Sequence, residues 1–376
     1  MIELSSEDSL RLNVLLSQEL QAVRIDESKM IVFALTEKGE ASVTLNPTGR
    51  DDQYLRKVRE FFSAHVLDSP GGYPIYLERW TRYSQQREAG SLQNLLLLGE
   101  PEAVVAVVYA PGLTPKLARR AWWAMPETEN ARCMLNNVSV RQSEVGQELA
   151  RYLIEYLPFE TEPRAMLNTV RLVLQDGLTD DAQRLDLWKR AERKGTFYIS
   201  FLQAVPDDLP QSSPAHTDWE SVQADLSALV EEGNIFAGLL CKVLSPEGQT
   251  FLKTVEAAMA KLMDQATTVA LFEVIGDYFS PVRVTDGEYR DIVGMCAYAA
   301  DCVDNTAATP ELAKVLAAVP AQRDKLMACL ALSLVGEYLL DSFFSRSDTV
   351  GPLMRRKLAP WTAPLLEQIQ RLREEN

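Results

Sequence analysis

The chain has 376 residues, of which 47% are hydrophobic and 24% charged, with a formal net charge of −15. That balance excludes whole-chain disorder, and an acidic surface that repels a phosphate backbone argues against general nucleic-acid binding. Two domains fit the length, and the acidity is uneven: residues 1–204 carry 28 acids and 24 bases, whereas 205–376 carry 25 and 14.

In chain order, Asp8 to Val23 has apolar residues at helical or mixed spacing. Lys29 to Asn46 holds two β-branched and aromatic runs around Thr36-Glu37-Lys38-Gly39-Glu40, which predicts a β-hairpin. Ala22-Val23-Arg24-Ile25 is a candidate third strand, and so small a sheet needs support, expected from the helix Asp51 to Val66. Residues 1–50 are therefore expected to pack on the helical array that begins at residue 51. The turn cluster Ser69-Pro70-Gly71-Gly72-Tyr73-Pro74 precedes a predicted helix Tyr76–Gln86 and another at Ser91–Leu98.

Ala103 to Trp123 reads as an apolar helix stopped at Gly112, a short turn, and a second helix opened by Thr114 at the N-cap and Pro115. Asn168 to Trp188 repeats it, with Gly112/Gly177, Thr114/Thr179, Arg119/Arg184 and Trp123/Trp188 all 65 residues apart. With helices near Glu127–Leu135 and Ser143–Tyr156, this predicts a mainly α fold. Residues 51–204 form a solenoid-like array of helical hairpins behind the small β-hairpin. Thr196 to Ala204 closes the array as a last helix or a strand.

Val205 to Asp218 carries three prolines without periodicity and is expected to be a linker. An acidic, all-α second domain over 219–376 comes after it. Its helices are expected at Trp219–Glu231, Ile235–Leu244, Glu247–Met263, Ala266–Phe279, Tyr289–Val303, Pro310–Val319, Ala321–Phe344, Val350–Leu358 and Ala363–Glu375. Ser245-Pro246-Glu247 and Thr309-Pro310-Glu311 are the firmest starts, and the largely apolar Ala321–Phe344 is the expected centre. The apolar run Met327–Leu340 is broken by Glu337 and falls short of the roughly 18 residues of a membrane span. MIELSSEDSLRL has neither the basic start nor the apolar core of a secretory signal, so a cytoplasmic location is expected.

Catalytic motifs are sparse. The two histidines, His65 on an aromatic helix and His216 in the linker, lie near no nucleophile elbow, and no Walker or dinucleotide glycine pattern occurs. The i,i+4 carboxylates Glu273/Asp277 and Glu337/Asp341 read as solvated faces, and neither a metal nor a cofactor is expected. The five cysteines have no zinc or redox spacing. Cys296 and Cys302, six apart, should point about 240° from one another on a helix, and are candidates only for a lone reactive thiol. Two basic aromatic clusters offer a protein-binding patch: Arg79, Trp80 and Arg82 on one helix, and Arg119, Arg120, Trp122 and Trp123 on another. Both repeat copies hold Arg four residues before Trp, a spacing at which the guanidinium can lie over the indole, and the alternative role for these tryptophans is as wedges between layers, with arginines covering their rims.

The strings EDSLRLNVLL at Glu7–Leu16, LNPTGRDDQYLRKVRE at Leu45–Glu60, SPGGYPIYLERWTR at Ser69–Arg82 and LLLLGEPEAVVAVVYAPGLTPKLARRAWWAMPETENARCML at Leu95–Leu135 resemble the sulfur reduction protein DsrS family. The similarity is closest over residues 1–210. It implies a cytoplasmic accessory protein of dissimilatory sulfur oxidation, a non-catalytic scaffold or regulatory factor with a protein partner in that machinery. It assigns no catalytic residues. A cysteine that relays persulfide sulfur is the competing expectation.

Overall fold

The structure, a computed structural model, describes residues 3–67, 89–285, 287 and 289–373. The predicted helix Tyr76–Gln86, the turn cluster Ser69–Pro74 and the site candidates Arg79, Trp80 and Arg82 lie outside the described residues. The chain divides into two compact units, Met1–Tyr156 and Leu157–Asn376. It is mainly helical, with a small antiparallel sheet near its start, as the hydrophobic periodicity predicts.

In the first unit, α1 (Ser6–Leu16) is capped by the Ser5 hydroxyl, which accepts from the Asp8 N–H. β1 (Leu20–Asp26), β2 (Ile31–Thr36) and β3 (Gly39–Thr44) come next as an antiparallel meander in that order. Thr36 faces Gly39 across the two-residue turn Glu37-Lys38. Leu12, Val23, Val32 and Ala34 pack with Tyr54, Val58 and Phe62 of α2 (Asp51–Leu67), the expected support for the sheet. Asp8, fully buried, accepts from the Tyr54 hydroxyl and from the Asn46 N–H at 2.8 Å, tying α1 to both. The unit closes with α3 (Ala89–Leu95), α4 (Pro101–Val108), α5 (Pro115–Ala124), α6 (Thr128–Leu135), α7 (Val138–Arg141) and α8 (Glu144–Tyr156).

The second unit opens with a 3-10 turn at Leu157–Phe159, then α9 (Pro163–Val173), α10 (Asp181–Ala191) and α11 (Gly195–Ala204). Next come α12 (Trp219–Glu231), α13 (Ile235–Leu244), α14 (Pro246–Met259), α15 (Gln265–Phe279), α16 (Ile292–Asp304) and α17 (Pro310–Ala318). α18 (Arg323–Ser333), α19 (Asp341–Phe344) and α20 (Gly351–Leu372) complete it. The division falls at Tyr156/Leu157, ahead of the expected linker 205–218, because α11 is a core element of the second unit. Its Phe197, Tyr198, Ile199, Phe201 and Leu202 are buried, and it packs on α9, α14 and α15. The proline-rich stretch itself is tethered: the Ser213 N–H donates to Thr250 Oγ1 at 2.8 Å and the His216 N–H to the Leu244 carbonyl at 2.9 Å.

Three predicted helices are corrected. Ala321–Phe344 is not one helix, since the chain turns by 79° between Pro320–Ser333 and Glu337–Phe344 at the extended Gly336. Among the described residues no single helix is long and apolar enough to cross a membrane, and the apolar side chains of this bent pair, Leu326, Leu330, Leu332, Leu339 and Leu340, are packed in the core. Val350–Leu358 and Ala363–Glu375 are instead one helix, α20, running through Pro360 and Pro364.

The two Gly-Leu-Thr corners are not equivalent. Thr114 caps α5 as predicted, accepting from the Leu117 N–H at 3.3 Å, but α4 stops at Tyr109 and Gly112 is not left-handed. At the second corner Asp176 and Gly177 are both left-handed, with φ of 51° and 70°. There the cap moves on to Asp180, which forms a reciprocal capping box with Gln183, while Thr179 turns inward and donates to the Val173 carbonyl at 3.1 Å. α4 packs on α5, whereas α9 packs chiefly on α11.

Candidate anion-binding site

α5 carries the described half of the basic aromatic residues, and packing consumes most of them. Trp122 is buried, donates from Nε1 to Glu148 Oε1 at 3.1 Å, and meets Tyr152 edge-on with centroids 4.7 Å apart. Trp123, half-buried, donates from Nε1 to Glu40 Oε2 at 3.0 Å. The guanidinium over its ring, 4.9 Å from the centroid, is that of Arg24 on β1. The predicted i,i+4 partner Arg119 turns away to Glu144 at 3.2 Å, and Arg184 likewise leaves Trp188 for Asp208 at 2.8 Å. The carboxylates win because a full counter-charge attracts a guanidinium more strongly than an indole face does. Arg120 is buried with its Nε unpartnered, and burial pulls its pKa below the usual guanidinium range. These residues clamp α5 to α8 on one flank and to the sheet on the other, so they form no contiguous exposed patch.

Four of the five thiols are poorly placed for nucleophilic work. Cys296 and Cys302 are half-buried on α16, and burial pushes the Cys296 thiol up. Burial does the same to Cys133 and Cys241, and lifts the buried Cys329 to about 12. A reactive cysteine needs the opposite shift. His65 Nδ1 lies 3.1 Å from the Phe61 carbonyl. His216, in the stretch expected to be a linker, has a side chain only 10% exposed, with Nδ1 accepting from the Asp218 N–H. Among the described residues no group of three or more histidine, cysteine and carboxylate side chains is placed to hold a metal.

The concavity with clear chemical character lies in the second unit, at the turn between α10 and α11. It has a volume of about 680 Å3 and is lined by Leu157, Pro158 and Phe197 together with Lys189, Arg190, Glu192, Arg193 and Lys194. Leu157 and Phe197 are each 3% exposed and form an apolar floor. Around it stand four cations and one carboxylate. Arg190 is paired with Asp186 at 2.6 Å, and Lys194 Nζ lies 3.7 Å from the Met166 sulfur. Lys189 and Arg193 are exposed and have no carboxylate partner among the described residues.

Basic residues commonly end helices because they satisfy the last carbonyls and the dipole. Here another residue does that work. Lys261, from the turn after α14, donates through Nζ to the Ala191 and Glu192 carbonyls at 3.2 and 2.8 Å, and lies over the Tyr198 ring. Gly195 permits the approach, since a Cβ there would come within 2.7 Å of Lys261 Cβ. The cations of the turn are thus left facing the concavity.

The cationic half of this site was readable in the string Lys-Arg-Ala-Glu-Arg-Lys at 189–194, yet such a run at a helix end passes for ordinary termination. Its floor was not readable, because Leu157 and Pro158 are supplied from some thirty residues upstream. Compared with protein-family models, with curated proteins and with solved structures, the chain matches none.

Proposed function

We propose that this chain acts by binding and not by catalysis, as an accessory factor of the kind that the DsrS resemblance implies, and that it takes up an anionic group at the α10–α11 concavity. The carrying observation is the pair Lys189 and Arg193, cations without carboxylate partners among the described residues, beside an apolar floor in a chain of net charge −15. Clustered cations beside an apolar floor can hold an anion through charge-assisted hydrogen bonds. The upward shifts of Cys133, Cys241, Cys296 and Cys329 favour this reading over a persulfide relay through those thiols. A protein partner from the sulfur-oxidation machinery and a cytoplasmic location belong to the same proposal, and the burial of Trp122 and Arg120 argues against docking through the indole cluster.

Amine acetylation followed by mass spectrometry tests the site directly. Sulfate, thiosulfate or phosphate should slow the modification of Lys189 and Lys194 while Lys253 and Lys314 react as before. Equal labelling of all four with and without these anions, and with and without an aromatic sulfonate, would overturn the proposal.

A further inference from the structure

The concavity has more to offer than charge. It is about 680 Å3 in volume, inside the roughly 300–1,000 Å3 range of small-molecule sites and far larger than a bare oxyanion needs. Its base is hydrocarbon: Leu157 and Phe197 are almost fully buried, and Pro158 extends their surface outward. An inorganic anion gains nothing from such a base and sheds hydration against it. An apolar body gains for every square ångström it covers. The charges are segregated along the α10–α11 turn, with Glu192 the sole carboxylate among the lining residues. Lys261 relieves the helix end of its need for them.

We infer that the ligand is an amphiphilic organic anion. Its ring-sized or branched apolar body lies on Leu157, Pro158 and Phe197, and its carboxylate, sulfonate or phosphate head is held by Lys189 and Arg193. This rests on the anion-binding reading above and sharpens it. The two cations make charge-assisted hydrogen bonds to the head, while the floor selects against ligands that lack a body. Lys194, resting on the Met166 sulfur, is free to swing onto the same head without breaking an ion pair.

The test uses the full chain and two fluorescent probes with the same rings: anilinonaphthalene sulfonate, and phenylnaphthylamine, which lacks the sulfonate. The sulfonate probe should bind at least about tenfold more tightly than the neutral one, the difference expected for one good charge-assisted contact. Lys189→Glu/Arg193→Glu should remove that advantage and leave the neutral probe unchanged. The milder Lys189→Gln/Arg193→Gln pair should give an intermediate loss, and circular dichroism of both variants verifies the fold. Pro158→Glu, at an exposed position on the floor, should weaken both probes.

Equal affinity for the two probes, or a sulfonate affinity indifferent to charge reversal, would overturn the inference. If inorganic anions protect Lys189 and Lys194 from acetylation while the sulfonate probe binds no better than sulfate, the anion site stands and its amphiphilic character falls. If neither protection nor probe binding is seen, both fall.

Discussion

At Cys329 the buried environment sets a measurable pH dependence. The folded thiol keeps its proton to about 12, whereas an exposed one releases it near 9. Between those values the unfolded chain binds fewer protons than the folded one, so stability falls as pH rises. The slope from this one group is about 1.4 kcal/mol per pH unit, and below pH 9 it vanishes. Urea unfolding of the wild type and of Cys329→Ala across pH 8 to about 11 should show the variant with the shallower alkaline slope, whatever its stability at neutral pH. Parallel slopes would contradict the assignment. Cys329 was legible as a core thiol because its neighbours in sequence are almost all aliphatic. Arg120 was not, since it falls on the margin of the apolar stripe Leu117, Ala118, Ala121 and a guanidinium there reads as exposed. The Arg–Trp spacing on α5 was legible as well, and misled: Glu40, Glu144 and Glu148 took the polar atoms that spacing alone had given to one another.

At the scale of the element, the two Gly-Leu-Thr corners give a paired prediction. Gly177 has φ of 70° and open space where a methyl would project, with no atom within 4 Å, so Gly177→Ala is penalised by backbone conformation alone, by about 1 kcal/mol. Gly112 lies outside the left-handed region and its Cβ would meet only Leu92 Cδ1 at 3.6 Å, so Gly112→Ala should be neutral or stabilising by a few tenths of a kcal/mol. Thermal melts of the two variants decide it, and equal losses would mean the corners are alike after all. Helix starts were the most legible feature, because a cap and a proline act within four residues. Ser245 caps α14 through the Gly248 N–H, and α17 begins at Pro310. Where a longer helix would stop was less legible: Gly336 bends a run that composition alone would continue, and Pro360 and Pro364 fail to end α20 because they leave its buried side, Met354, Leu358, Leu365 and Ile369, intact.

For the whole molecule, composition located an irregular stretch at 205–218, whereas the compact units divide at Tyr156/Leu157. Proline content reports the lack of helix, whereas a boundary depends on which apolar faces meet, and the face of α11 meets α14 and α15 beyond that stretch. A fragment of residues 157–376 is therefore expected to unfold cooperatively, and one of 205–376, stripped of Phe197, Ile199 and Phe201, to lack a sharp transition. Circular dichroism against temperature distinguishes them, and two equally sharp transitions would restore the linker. The second unit is also closed from its far end. Gln249, buried inside α14, donates from Nε2 to the carbonyls of Val243 at 3.0 Å and Leu372 at 2.9 Å. During translation that amide must wait for 123 further residues. At roughly 5–20 residues per second the wait lasts about 6–25 s, and over that interval the nascent helices expose the surface that α20 later covers to chaperones and to each other.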